Sequence, residues 1–286
     1  MKKVGALSAA LLLVFLSACT PRPASTPVPT STPTPTPTPT PDPYSNSYAQ
    51  ADVSRLEDGL VRVRYTGPVQ VQIKAQLTKA EGTDYNYDLP NDGAWIPLTL
   101  TEGEGEYSLR VLENVEGDLY RPVFQCTLAL ELADPLSPFR QANQYVSYTA
   151  DSPLSVLAQD LTGELETEEE KAGAIFAYVT EHLSYDEEKA AEVEPGYLPD
   201  PEAVLREGKG ICFDYAAVMA AMLRSQGVAC RLAVGYAGEV YHAWVETPQE
   251  EGWRLWDPTF LSANQGNQTV LDFVSQPENY AARLYY

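Results

Sequence analysis

The apolar period of this chain changes once along its length, and that change limits the folds open to it. From residue 45 to about 135, apolar and polar residues alternate. LVRVRY (Leu60 to Tyr65) and VQVQIKAQL (Val69 to Leu77) show the two-residue period of strands buried on one face. WIPLTL, EYSLRVLE and PVFQCTLALEL continue the pattern, separated by turn signals at Thr66-Gly67-Pro68, Asn91-Asp92-Gly93 and Glu116-Gly117-Asp118. Six or so short antiparallel strands in about 90 residues predict an all-β sandwich, Ig-like in type, over 45–135. Nothing in it gathers reactive side chains, so a spacer or recognition module is expected there. Residues 136–152 read as a linker.

From 153 onward the period is helical. Pro153 to Leu161 predicts a short first helix. Thr167 and Glu170 form a capping-box pair ahead of an apolar stripe at Ala174, Ile175, Tyr178, Val179 and His182 or Leu183. A further helix is expected to start at or just after Cys212, to bury Tyr215, Ala216, Met219, Ala220 and Leu223, and to stop at Gly227. Three strands should follow, in VACRLAVGY, VYHAWVE and GWRLWDP. Helices followed by antiparallel strands make an α+β domain over 153–286.

The opening residues address location. Lys2 and Lys3 precede an apolar run from Val4 to Leu16, and Leu16-Ser17-Ala18-Cys19 follows. Such a run is too short to span a bilayer and reads as a signal peptide over 1–18. The Leu-Ser-Ala-Cys sequence resembles the lipobox of bacterial lipoproteins, which implies acylation of Cys19 and a mature chain anchored on the extracellular side of the cell membrane. Residues 19–43 are almost entirely Pro, Thr and Ser after that cysteine and cannot form a core. As polyproline II, the 24 residues from Thr20 would reach about 70 Å, enough for a stalk. The net charge is −21, and removing Lys2 and Lys3 deepens it. A chain of that charge repels nucleic acid and anionic surfaces, so no nucleic-acid partner is expected.

With Cys19 assigned to lipid, three cysteines remain, and an odd number leaves one thiol free. Cys126 and Cys230 either bridge or stay as two buried thiols. Cys212, at a helix start, has another use. Unpaired N–H groups and a partial positive charge favour thiolate at that position. His242, inside a strand, can take a proton and return it to a leaving group. Asp257, at the end of the next strand, can accept from the other ring nitrogen and hold its tautomer. Each residue alone is more often a packing or turn residue; the three in this order, on these elements, form a constellation.

These residues also carry a family resemblance. GKGICFDYAAVMAAMLRSQGVACRLAVGY, HAWVE and WRLWDPTF resemble the core of the transglutaminase-like superfamily, a branch of papain-like cysteine enzymes, over roughly residues 155–260. The likeness rests on Gly210 and Cys212, Arg231 with Gly235-Tyr236, His242-Ala243-Trp244 and Asp257-Pro258-Thr259. It implies that Cys212 is the nucleophile, His242 the general base and acid, and Asp257 the orienting carboxylate. The amide substrate, from a protein or a wall peptide, would pass through a thioester resolved by water or by an amine. Tyr185, in HLSYDEE, stands where family members often carry an aromatic residue. Its hydroxyl is either a second oxyanion donor beside the Cys212 N–H, or its ring packs. No D-x-D-x-D-G loop is present, so neither calcium nor any other metal or cofactor is expected. Two rival readings are a transglutaminase-like binding module without turnover and a purely structural surface protein. His182 is expected to have no role.

Overall fold

Alternation becomes pleated sheet where the sequence places it. The computed structural model describes residues 42–264 and 267–286. The signal peptide, Cys19 and all but the last two residues of the stalk lie outside the described residues. β1 (Ala49–Asp52), β2 (Leu60–Tyr65) and β5 (Ile96–Thr99) form a three-stranded antiparallel sheet in the order β1-β2-β5. β3 (Ile73–Lys79), β4 (Asp84–Leu89), β6 (Gly105–Glu116) and β7 (Leu119–Leu130) form a four-stranded sheet in the order β4-β3-β6-β7. Val61, Val63 and Tyr65 point inward from the first sheet, and Ile73, Ala75, Leu77, Leu109, Val111 and Leu128 from the second. The β6–β7 hairpin turns at Gly117-Asp118, where Gly117 sits at φ +52°, a backbone conformation that costs glycine little. The strand expected from Val69 begins only at Ile73, because pairing with β4 and β6 starts there. β1 and β4 had no clear signal: β1 buries only alanines, and β4 alternates Tyr with Asp and Asn, poor strand formers.

The helical half begins with α1 (Pro153–Thr162) and α2 (Glu168–His182). Both halves of the predicted capping box form, Glu170 N–H donating to Thr167 Oγ1 at 3.2 Å and Thr167 N–H to Glu170 Oε2 at 3.0 Å. The buried face of α2 is Ala172, Ile175 and Val179, continued by Leu183; Ala174 and Tyr178 are only half-buried, so the apolar stripe is rotated from the expected one. β8 (Ser184–Tyr185), α3 (Glu187–Glu192), α4 (Pro201–Glu207) and β9 (Lys209–Gly210) lead into α5 (Cys212–Ser225). Then come β10 (Arg231–Ala237), β11 (Val240–Pro248), β12 (Trp253–Trp256), α6 (Pro258–Ala263), α7 (Gln268–Val274) and β13 (Tyr280–Tyr285). The sheet order is β12-β11-β10-β13, so a fourth strand joins the three expected ones.

α5 departs from the one-faced helix its spacing predicts. Every residue from Asp214 to Arg224 is buried, because α1, α2, α4 and α6 pack around it and β10 and β11 cover the remaining side. A helix of Ala, Val, Met and Leu has no wet face to lose by such enclosure.

The connection at 136–152 is itself packed. Phe139 and Val146 are buried, and the Cys230 N–H donates to the Phe139 carbonyl at 3.0 Å. Arg224, 2% exposed, donates to the carbonyls of Cys230, Gln141 and Tyr286. The Tyr286 ring lies 4.2 Å from that of Tyr145 and meets Tyr85 of β4 edge-on at 5.7 Å. The strand-rich and helical halves thus share one apolar core.

Candidate active site

Cys212 owes its place to the two residues before it. β9 pairs in parallel with β8, Tyr185 opposite Gly210, and Ile211 stays extended as N-cap (φ −93°, ψ 176°). Cys212 is therefore the first helical residue of α5, where a backbone N–H has no intrahelical acceptor. Asp214, one turn on, turns its carboxylate back to accept the Ile211 N–H at 2.9 Å. A Cβ on Gly210 would lie 2.6 Å from Asp214 Cβ, so this approach requires glycine.

The Asp214 carboxylate is fully buried and has further partners. Lys189 Nζ of α3 donates to Oδ2 at 2.6 Å, and the Tyr197 hydroxyl donates to Oδ1 at 2.6 Å. Burial opposes the Lys189 charge, but the hydrogen bonds to Asp214 and Tyr197 prevail and raise its pKa above the ordinary value. This cluster, invisible to spacing arguments, pins the segment 189–197 against the start of α5.

His242 lies on β11 opposite Gly235 of β10 and is 3% exposed. Its Nε2 is 2.8 Å from Asp257 Oδ2. Asp257 follows β12 and caps α6, its Oδ1 accepting the Phe260 N–H at 3.1 Å. The Phe260 ring stacks on the imidazole with centroids 4.4 Å apart and planes 10° from parallel. Burial alone would lower the His242 pKa. Hydrogen bonding to Asp257 and to Cys212, with the two negative charges, outweighs it and raises the pKa to about 9. With Nε2 engaged by Asp257, Nδ1 is left for the thiol. The three residues singled out in the sequence are thus brought together as thiol, imidazole and carboxylate in series.

A fourth group joins them that sequence reasoning missed. The Tyr280 hydroxyl, at the start of β13, donates to Asp257 Oδ2 at 2.7 Å. Gly235 permits it: a Cβ there would lie 2.1 Å from the Ala281 carbonyl oxygen, so β13 could not come so close. No local pattern marks Tyr280, which lies 23 residues beyond Asp257.

Tyr185 is 39% exposed and lines the same cleft as Cys212, so its ring is not a core residue. Burial, and then the nearby Cys212 charge, raise its pKa. The cleft measures about 650 Å³ and is bounded by Tyr185, Val193, Tyr197, Cys212, Tyr241 and neighbouring residues. Cys126 and Cys230 are both buried free thiols, not a bridge, and burial pushes the Cys126 thiol up to about 11. His182 is exposed, stacks on Tyr178 at 3.9 Å and lies outside the cluster. Among the described residues, no three His, Cys, Asp or Glu side chains gather closely enough to hold a metal ion.

Chemically, a half-exposed thiol at a helix N-terminus beside a buried imidazolium is equipped for nucleophilic attack and proton return. Comparison with known proteins points to the same region. The model of the family described as "Transglutaminase-like superfamily" matches residues 155–258. Over 140 residues the chain is 33% identical to kyphoscoliosis peptidase of Homo sapiens, a match taking in 44% of this chain and 21% of that protein. The Mus musculus protein of the same name is 32% identical over 126 residues, 40% of this chain and 19% of that one. The chain thus spans about a fifth of the length of the curated relatives it matches. Among solved structures, the periplasmic domain of TgpA from Pseudomonas aeruginosa aligns with 81% of this chain and 97% of that chain, at 18% identity and a TM-score of 0.37. Red sea bream transglutaminase aligns with 74% of this chain and 48% of that chain, at 15% identity and a TM-score of 0.29.

Proposed function

We propose, from the match of residues 155–258 to the transglutaminase-like family model, that the chain is a cysteine enzyme acting on amide bonds. The observation that carries this reading is the series Cys212–His242–Asp257, with Nε2 and Oδ2 2.8 Å apart and the thiol at the head of a buried helix facing a cleft. The Cys212 thiolate adds to the amide carbonyl carbon. The Cys212 N–H and the Tyr185 hydroxyl receive the charge that develops on oxygen. His242 protonates the leaving amine, the C–N bond breaks and a thioester remains. Water or a second amine then adds, His242 taking its proton, and the thiolate leaves. Asp257 holds the ring and stabilises the imidazolium, and Tyr280 holds Asp257.

The reading extends to location. Leu16-Ser17-Ala18-Cys19 supports export and lipid anchoring at Cys19, with the Pro/Thr-rich segment as a stalk and the strand-rich half as an Ig-like sandwich holding the enzyme away from the membrane.

The test uses the full-length protein with a proteome-derived peptide mixture, with and without a primary amine, read by mass spectrometry. Cleaved products indicate hydrolysis, and amine-tagged products indicate transfer. Cys212→Ala and His242→Ala should abolish both, whereas Asp257→Ala should leave a measurable remnant because it only orients. Turnover by Cys212→Ala equal to that of the parent would return Cys212 to a packing role.

A further inference from the structure

The cleft beside Cys212 has a chemistry of its own. Among its lining side chains only that of Glu194 carries a formal charge, and that charge is negative; none is Lys or Arg. The Lys189 ammonium, on α3, is committed to the buried Asp214 carboxylate, and Lys209 is paired with Asp186. The remaining walls are mainly aromatic and aliphatic, among them Tyr145, Val193, Tyr197, Phe213, Tyr241 and Leu284.

Exposed apolar residues gather near the cleft, with the Arg283 guanidinium lying 5.2 Å from the Tyr236 ring. Ten large hydrophobic residues are exposed among the described residues. Six of these fall in two short segments, Tyr185, Val193 and Leu198 in one and Tyr236, Val240 and Tyr241 in the other, and Tyr185, Val193 and Tyr241 line the cleft itself. Tyr241 and Val240 are 62% and 56% exposed. Isolated exposed apolar residues need no explanation, but a cluster of them around a cavity marks a surface meant to be covered. The segment 189–197 cannot simply collapse into the cleft, because Lys189 and Tyr197 are tied to Asp214.

Resting on the assignment of Cys212 above, we propose that this cleft selects the acyl donor by a bulky aromatic or branched aliphatic side chain next to the reactive amide. The donors are then apolar stretches of polypeptide, not anionic peptides with a carboxylate beside the reacting bond. Two effects point the same way. An apolar side chain removes both its own surface and the cleft's aromatic surface from water. A carboxylate would enter a cleft lined by no Lys or Arg, where the His242 imidazolium is already engaged by Asp257 and Cys212, next to Glu194, on a chain of net charge −21.

Four N-acetyl-dipeptidyl acyloxymethyl ketones, with Phe, Leu, Lys or Glu beside the ketone, test this on the full-length protein. The Cys212 sulfur displaces the acyloxy group as a carboxylate and forms a thioether, so labelling rates read recognition at the thiol. The Phe and Leu probes should label Cys212 at least about tenfold faster than the Glu probe, the range in which an apolar pocket discriminates. Val193→Lys and, independently, Tyr241→Lys should narrow that ratio by favouring Glu. The parent series stands even if a variant fails to fold. Chloroacetamide, which carries no side chain to read, serves as the control. Four rates within about twofold of one another, or Glu fastest, with chloroacetamide labelling of Cys212 still dependent on His242, would overturn the specificity and leave the enzyme reading intact. Chloroacetamide labelling of Cys212 that is indifferent to His242→Ala would overturn both.

Discussion

Replacing Asp214 by Asn tests the buried cluster that sets the start of α5. The side chain keeps its volume and one acceptor but loses its charge. Lys189 Nζ, 2.6 Å away, then has no counter-charge, and the new amide NH₂ must face one of three donors: the Ile211 N–H, the Tyr197 hydroxyl or the ammonium. Removing one partner of a buried ion pair costs about 3–5 kcal/mol. The Lys189 side chain is 29% exposed, so water can recover part of its solvation, and the lower end, about 3 kcal/mol, is expected. For a chain of this size, each kcal/mol moves the melting temperature by roughly 2–4 °C, giving a fall of about 6–12 °C by circular dichroism. Lys189→Met combined with Asp214→Asn should recover a large part of that fall, since the stranded charge is gone. A fall under about 3 °C in the single variant, or a double variant melting below it, would refute the argument that an uncompensated charge is the source of the loss.

The pH dependence has a definite sign. His242 is raised from the ordinary 6.5 to about 9, so its contribution to stability is complete below about 6.5 and is lost as pH rises through about 9. Asp257→Asn removes the carboxylate that favours the imidazolium and should lose less between those values; equal losses in thermal melts of the two proteins would contradict this. At Arg224, the buried guanidinium serves three main-chain oxygens, those of Cys230, Gln141 and Tyr286, at 2.5–3.1 Å. Each carbonyl left unpaired costs about 1–3 kcal/mol, so Arg224→Met should lower the urea midpoint sharply, by at least about 3 kcal/mol of stability. Arg224→Lys, with a point charge in place of a planar fork, should recover only part of it. A midpoint unchanged in Arg224→Met would show that the carbonyls find other partners.

Interactions between near neighbours in the chain were legible in the sequence. The Thr167–Glu170 capping box, the strand Leu60–Tyr65, the turn at Gly117 and the start of α5 at Cys212 each depend on side chains within about four residues, and each stands where the pattern places it. The order Cys212, His242, Asp257 was equally readable, because a helix start followed by a hairpin of two strands leaves few ways to arrange those side chains. Contacts between distant segments left no such trace. Tyr280 reaches Asp257 only because β13 adds itself beside β10 where Gly235 lacks a side chain. Asp214 looks like an ordinary first-turn acid until α3 brings Lys189 to it, 25 residues away. Arg224 reads as a basic residue near a helix end, yet it is buried because chain from residues 141, 230 and 286 converges on it. The spacing of α5 predicts a single buried face, but four helices and two strands enclose it. Periodicity records which side of an element is apolar. How many sides are covered, and which buried polar groups find partners there, is decided only when the distant parts of the chain pack together.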